Sequence, residues 1–156
     1  MDIIDTALVP DGVQDFAKAH VRRYLASNGK DGHLKFRVID DGRPPAPPTL
    51  LLAARGRKSG HWYIWPLTYG TDGGRYLIVG SRGGAPDHPG WAKNLMANPD
   101  SRIQVGDKRF DVTASVAIGA ERERLWQLMV NVLPEYAEYQ KKTTRQLPVF
   151  VLTPKA

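Results

Sequence analysis

The chain has 156 residues, 42% hydrophobic and 24% charged, proportions of one globular domain long enough to bury a core. With no cysteine, disulfides and thiolate metal sites are excluded. The 22 Lys and Arg against 16 Asp and Glu leave a charge of +6, which fits an acidic partner: nucleic acid, anionic lipid, or a ligand bearing phosphates or carboxylates.

The N-terminal "MDIIDTALVPDG" is acidic and broken by Pro10, unlike the basic start and apolar middle of a secretion signal. No apolar run approaches the roughly 18–20 residues that span a bilayer. A cytoplasmic location is expected, at most peripheral at the inner face of the cell membrane. From Gly12 to Asn28, Val13, Phe16, Ala17, Val21, Tyr24 and Leu25 recur at helical spacing, with Asp11 as a cap and Gly29 as a stop. This amphipathic helix, basic on its polar side, suits packing on the core or contact with an anionic membrane. Residues 30–48 mix glycine, aspartate and proline around one short strand at Phe36–Ile39, and read as a connector. Residues 1–48 are therefore taken as helix and Pro-rich connector, and 49–156 as the organised domain.

That domain opens with strand-like "TLLLAA" (Thr49–Ala54), "HWYIWPLTY" (His61–Tyr69) and "RYLIVGS" (Arg75–Ser81), which predict a three-stranded meander. "HPGWAKNLMANP" (His88–Pro99) reads as a short helix with Pro89 near its start and Asn98-Pro99 as a stop, and the alternation around Gly106-Asp107 as a second hairpin. Ala120–Leu133 is helical, with Leu125, Leu128, Met129 and Val132 in one stripe, and Pro134 starts a further helical turn. "LPVFVL" (Leu147–Leu152) is a closing central strand. The sum predicts a mainly β, antiparallel, barrel-like α+β domain with short peripheral helices.

Two stretches carry chemistry. "ARGRKSGHW" places Arg55, Arg57 and Lys58 around Gly56 and Gly60, a turn whose glycines can aim successive N–H groups at an anion. It lacks the G-x-x-x-x-G-K-[ST] order and following helix of a phosphate-binding P-loop. "GSRGGAPDHP" repeats the character with Ser81, Arg82 and a glycine pair. Beside Trp62, Trp65 and Trp91, two such turns favour a ligand flat at one end and anionic at the other. The four histidines lack metal-ligand spacing, so no metal is expected. Neither Ser59 nor Ser81 lies in a nucleophile elbow. Tyr136 and Tyr139 share a helix face, where a phenol at a pocket rim can donate a hydrogen bond or proton.

"GRKSG", "DGGRYLIVGSRGGAPDHPGWAKNLMANP" and "YAEYQKKTTRQLPVFVL" resemble the deazaflavin-dependent nitroreductase and quinone reductase family of actinobacteria over Leu50–Leu152. The resemblance implies a split β-barrel of the FMN-binding kind, and a reductase that passes hydride from reduced coenzyme F420 to a quinone, enone or other conjugated acceptor, nitroaromatics included. It puts cofactor contacts at Arg57, Lys58, Ser59, Tyr63, Ile64, Trp65, Pro66, Leu67, Thr68, Val79, Gly80, Ser81, Arg82, Gly90, Trp91, Ala92, Lys93 and Asn94. Tyr139, Tyr136 and Ser81 would act on the acceptor. The coenzyme's phosphate and oligoglutamate tail gives the basic turn a purpose. Tyr63 stands where many relatives carry arginine, Arg82 where lysine is common, Leu133 where the best-known type has tyrosine, and Ala92 where an aromatic is frequent, so the pocket differs. FMN is the alternative cofactor, and a basic module holding single-stranded nucleic acid the non-catalytic rival; no nucleic acid is expected.

Overall fold

The strand Thr49–Arg55 (β1) is buried along almost its whole length, and its alternation shows why. Leu50, Leu52 and Ala54 face a core with Trp91, Ile103 and Phe150. Leu51 and Ala53 face the other way, toward Ile4, Val21, Tyr24 and Ile64. A strand apolar on both faces needs cover on both, and here the barrel interior supplies one and the N-terminal segment the other. These features come from a computed structural model that describes residues 2–10, 15–32 and 47–155.

Six further strands complete one sheet: Trp62–Thr68 (β2), Gly70–Asp72 (β3), Arg75–Val79 (β4), Asp100–Val105 (β5), Lys108–Val116 (β6) and Val149–Pro154 (β7). Their order is β2-β1-β5-β6-β7-β4-β3, and every pairing is antiparallel. Only Tyr69 separates β2 from β3, yet the two lie at opposite ends of that order. The chain thus steps from one end of the sheet to the other at a single residue, curling it into the expected split barrel.

This corrects the expected meander. β4 pairs with β3 and β7 and not with β2. Turn residues mark where strands stop, whereas the choice of neighbour belongs to the curl of the whole sheet. The second hairpin forms as expected, with Ile103 opposite Phe110, and β7 is central between β6 and β4.

Five helices lie around the sheet among the described residues: Ile3–Thr6 (α1), Asp15–Ala26 (α2), Gly90–Ala97 (α3), Gly119–Val132 (α4) and Glu135–Lys141 (α5). On α2, Val21 and Tyr24 are buried against β1 and β2, so this part of its apolar stripe packs on the core. The Tyr24 hydroxyl donates toward the carbonyls of Thr49 at 3.1 Å and Gln104 at 3.3 Å and accepts from Gly106 N–H at 2.7 Å. Burial pushes its pKa up to about 12, so it stays a neutral linchpin. The expected cap at Asp11, Val13 of the stripe and the strand at Phe36–Ile39 fall outside the described residues. No helix among the described residues is long and apolar enough to cross a membrane.

The first ten residues do more than sequence suggests. Asp2 caps α1 by accepting from Ile4 N–H at 3.0 Å, and its carboxylate takes a bidentate hydrogen bond from Arg102. The Arg102 guanidinium holds this carboxyl well below the usual carboxylate range. Asp5 pairs likewise with Arg109 at 2.9 Å. Leu8 then forms a parallel bridge with β2, donating to Trp62 C=O and accepting from Ile64 N–H, both at 2.9 Å.

Candidate active site

Where α2, α3 and α5 approach the barrel, a cleft of about 880 Å³ opens, toward the upper end of small-molecule sites at about 300–1,000 Å³. Trp65, Pro66, Leu67 and Thr68 of β2 form one wall, and Val79 at the end of β4, with Ser81 and Arg82 just beyond it, another. Gly90, Trp91 and Lys93 of α3 and Tyr136 and Tyr139 of α5 complete the set that sequence and structure share. Pro10, Ala17, His20, Thr49, Gly83, His88, Pro89 and Leu133 also line the cleft. Of these the sequence had flagged only Leu133 as bearing on the pocket.

The wall after β4 owes its shape to Arg145, a residue that no sequence motif marked. Its guanidinium donates to Ala85 C=O at 2.8 Å, Gly80 C=O at 3.0 Å and Ser81 C=O at 2.8 Å, and to His88 Nδ1 at 2.8 Å. One planar fork of five donors thereby pins a whole turn. The turn needs pinning. Arg82 sits at φ +45°, a conformation that costs a non-glycine residue about 1–2 kcal/mol. Gly84, at φ +83°, packs so closely on the Tyr139 carbonyl that a Cβ would collide with it. This contact couples the turn to α5.

Tyr136 is 4% exposed, its ring edge-on to Tyr139 at 6.3 Å between centroids. Burial pushes its phenol well above the ordinary tyrosine range, against a hydrogen bond with Thr68 that lowers it. The hydroxyl therefore stays protonated at neutral pH. Tyr139 is half-buried and Ser81 half-buried, both open to the cleft. Lys93 forms an ion pair with Asp87 at 2.5 Å, so its charge is partly answered, while Arg82 is exposed at the rim.

The basic turn is built differently from expectation. Gly56 N–H donates to His61 C=O at 2.7 Å, Gly60 N–H to Gly56 C=O at 3.0 Å and His61 N–H to Ser59 Oγ at 3.2 Å. The N–H groups of both glycines are thus spent on closing the turn and are not aimed at a ligand, because a tight turn satisfies its own backbone first. What remains outward are side chains: Arg57, Lys58 and Ser59 are exposed. Asn94, largely buried on α3, takes both Arg57 N–H at 3.2 Å and Arg57 Nη1 at 2.8 Å on its Oδ1. These residues lie outside the cleft lining; Asn94 itself stands roughly one helical turn along α3 from Gly90, at about 1.5 Å per residue.

Four other sites expected from sequence are not brought to the cleft. Ile64 is 1% exposed and packs beneath α1 and α2, on the face opposite its neighbours, as strand alternation requires. Ala92 is fully buried, and Gly80 backs onto Pro148, whose Cγ a Cβ would meet at 2.8 Å. Tyr63 hydrogen-bonds Ser59 at 3.1 Å beside the basic turn.

The cleft lining holds one orphaned polar atom. Thr49 lines the cleft and is 2% exposed, and its Oγ1 has no hydrogen-bond partner. A buried hydroxyl without a partner costs about 1–3 kcal/mol, a deficit that a ligand oxygen or N–H in the cleft would remove. Flat apolar walls, an unsatisfied hydroxyl and rim cations suit a planar heterocycle with an anionic tail.

A model of the F420H(2)-dependent quinone reductase family matches residues 17–154, reaching further toward the N-terminus than the motifs alone. The F420H(2)-dependent quinone reductase Rv1261c of Mycobacterium tuberculosis is 45% identical over 145 residues, covering 91% of this chain and 91% of its own. A solved F420-H2 dependent reductase, FDR-A, superposes with a TM-score of 0.63 at 42% identity, covering 75% of this chain and 98% of that one. A domain-swapped dimer superposes at 0.66 with 40% identity, over 86% of this chain and 95% of that one. This chain, with its split barrel and its cleft between barrel and helices, belongs to the F420H(2)-dependent quinone reductase family.

Proposed function

We propose that this protein transfers a hydride from reduced coenzyme F420 to a quinone or a similarly conjugated acceptor. The observation that carries the reading is one continuous cleft in which the apolar surfaces of Trp65, Pro66, Leu67, Val79 and Trp91 run out to the cation of Arg82. When bound, the reduced coenzyme supplies two electrons and a proton's worth of hydrogen as hydride. The protein's task is then to align the partners, keep water out and meet the charge on the acceptor.

Trp65–Thr68, Val79, Ser81, Gly90 and Trp91 would hold the ring, with Trp91 as its wall. Arg82, and beyond it Arg57, Lys58 and Ser59, would hold the phosphate and acidic tail. Asn94 serves this by fixing Arg57, and Tyr63 by holding Ser59. Lys93 would join only by sharing Asp87. A quinone that accepts hydride at one position carries an oxyanion and takes up a proton to become the hydroquinone. Tyr139 and Ser81 present hydroxyls that can hydrogen-bond that oxygen, and Tyr139 is the proposed proton donor. Tyr136 keeps its proton and orients the rim through Thr68. Leu133 and Thr49 would border the acceptor.

Purified protein should show tryptophan fluorescence quenched by coenzyme F420 with micromolar-class affinity, since Trp65 and Trp91 line the cleft. No quench at saturation would count heavily against the reading. Protein that is yellow as isolated would favour FMN in the same cleft. Tyr139→Phe should slow quinone reduction about a hundredfold, in the range for a lost proton donor, with coenzyme affinity within about threefold. Unchanged turnover would remove Tyr139 from the chemistry.

A further inference from the structure

His88 lines the cleft, and its place there is fixed from behind. Arg145 Nη1 lies 2.8 Å from His88 Nδ1, and a guanidinium can only donate. Nδ1 must therefore be the acceptor, with its lone pair toward Arg145, and the ring proton must sit on Nε2. The same Arg145 is held by three main-chain carbonyls, so it cannot swing aside to allow the other tautomer. The imidazole's own main chain is tied as well: His88 N–H donates to Asp87 Oδ1 at 3.0 Å, and Asp87 Oδ2 takes Lys93 Nζ.

We propose that His88 is a fixed, neutral Nε2–H donor for an oxygen of the ligand in the cleft, and that Arg145 is the positioning residue that sets its tautomer. The assignment rests on the cleft being the coenzyme site. A ring carbonyl or a phosphate oxygen would accept the bond equally well, and both are available on a planar heterocycle with a phosphate tail.

The electrostatics agree with the geometry. Burial and the adjoining Arg145 hold the His88 pKa below the ordinary histidine value, Lys93 adds to the lowering, and Asp87 alone opposes it. Protonating Nδ1 would set a second cationic N–H against the guanidinium. The ring thus offers a donor that does not switch off as pH rises and that resists becoming a cation as pH falls.

The test begins with nitrogen-15 spectra of the imidazoles in ligand-free protein between pH 5.5 and 8. The expected result is an Nε2–H, Nδ1-bare pattern for His88 throughout the neutral range, with Arg145→Lys moving the titration upward or mixing the tautomers. An Nδ1–H ring, or a ring protonated at pH 7, overturns the proposal. Addition of coenzyme F420 should shift the His88 Nε2 resonance, and an unmoved resonance at saturation overturns it too. For binding, His88→Phe should weaken coenzyme affinity about tenfold, the scale of one lost hydrogen bond. His88→Gln, whose amide N–H reaches the Nε2 position, should recover it to within about threefold. Wild-type affinity in His88→Phe would overturn the donor role. A wild-type protein blind to the coenzyme would strike the hydride-transfer reading instead, with the ligand-free spectrum still deciding for or against the fixed donor.

Discussion

Two turns of this chain look alike as sequence and behave differently as structure. The turn at Arg55–Gly60 and the turn at Ser81–Gly84 both mix serine, arginine and glycine after a strand. The first closes on its own backbone, through Gly56, Gly60 and His61, and leaves its cations exposed. The second is held from outside, by four donors of Arg145 and by Gly84 against α5, and its side chains line the cleft. The difference teaches that a basic glycine turn can be an exposed electrostatic landing or a pinned wall, according to how much of its backbone is held from elsewhere in the fold.

Identical substitutions in the two turns should separate these roles most sharply. Gly84→Ala meets both a left-handed φ and the Tyr139 carbonyl, and should destabilise the protein by about 2–4 kcal/mol in denaturant unfolding. Gly60→Ala has φ +75° but only the flexible end of Arg55 nearby, at 3.7 Å, and should cost about 1 kcal/mol. Equal losses would erase the distinction. Replacing Arg57 and Lys58 together by alanine should leave unfolding unchanged within about 0.5 kcal/mol while weakening coenzyme affinity about tenfold at low salt. That penalty should shrink as ionic strength rises and the Debye length falls from about 30 Å toward 3 Å. An affinity loss insensitive to salt would mean a structural effect instead. Ser59→Ala, which gives up the Tyr63 hydroxyl and one turn bond, should be the mildest, at about 0.5 kcal/mol or less.

Much of the barrel was legible because its elements obey local rules. The hairpin at Gly106-Asp107, α3 between Pro89 and Asn98, and the broken helix at Pro134 all appear where turn chemistry and periodicity put them. The pairing of β4 was not legible, since it depends on the bend at Tyr69 rather than on any residue pattern. Resemblance brought Trp65–Thr68, Val79, Ser81, Arg82, Trp91 and the two tyrosines to one cleft. It also named Ile64, whose side chain alternation alone would have sent to the opposite face. Arg145 and His88 were missed because their partnership spans 57 positions and acts through main-chain carbonyls, which carry no sequence signature. The anchoring of Asp2 to Arg102, 100 residues away, escaped for the same reason.

The single bridge at Leu8 has a consequence beyond anchoring. β2 ends the strand order, and two of its outward-facing backbone groups, the Trp62 C=O and the Ile64 N–H, are taken by Leu8. By the same alternation the next outward N–H would be at residue 66, and there the chain has proline, which has none to give. A stray extended peptide therefore finds this stretch of the margin already occupied at Leu8 and short of a donor at Pro66, two features that work against the strand-by-strand growth that turns open sheets into aggregates.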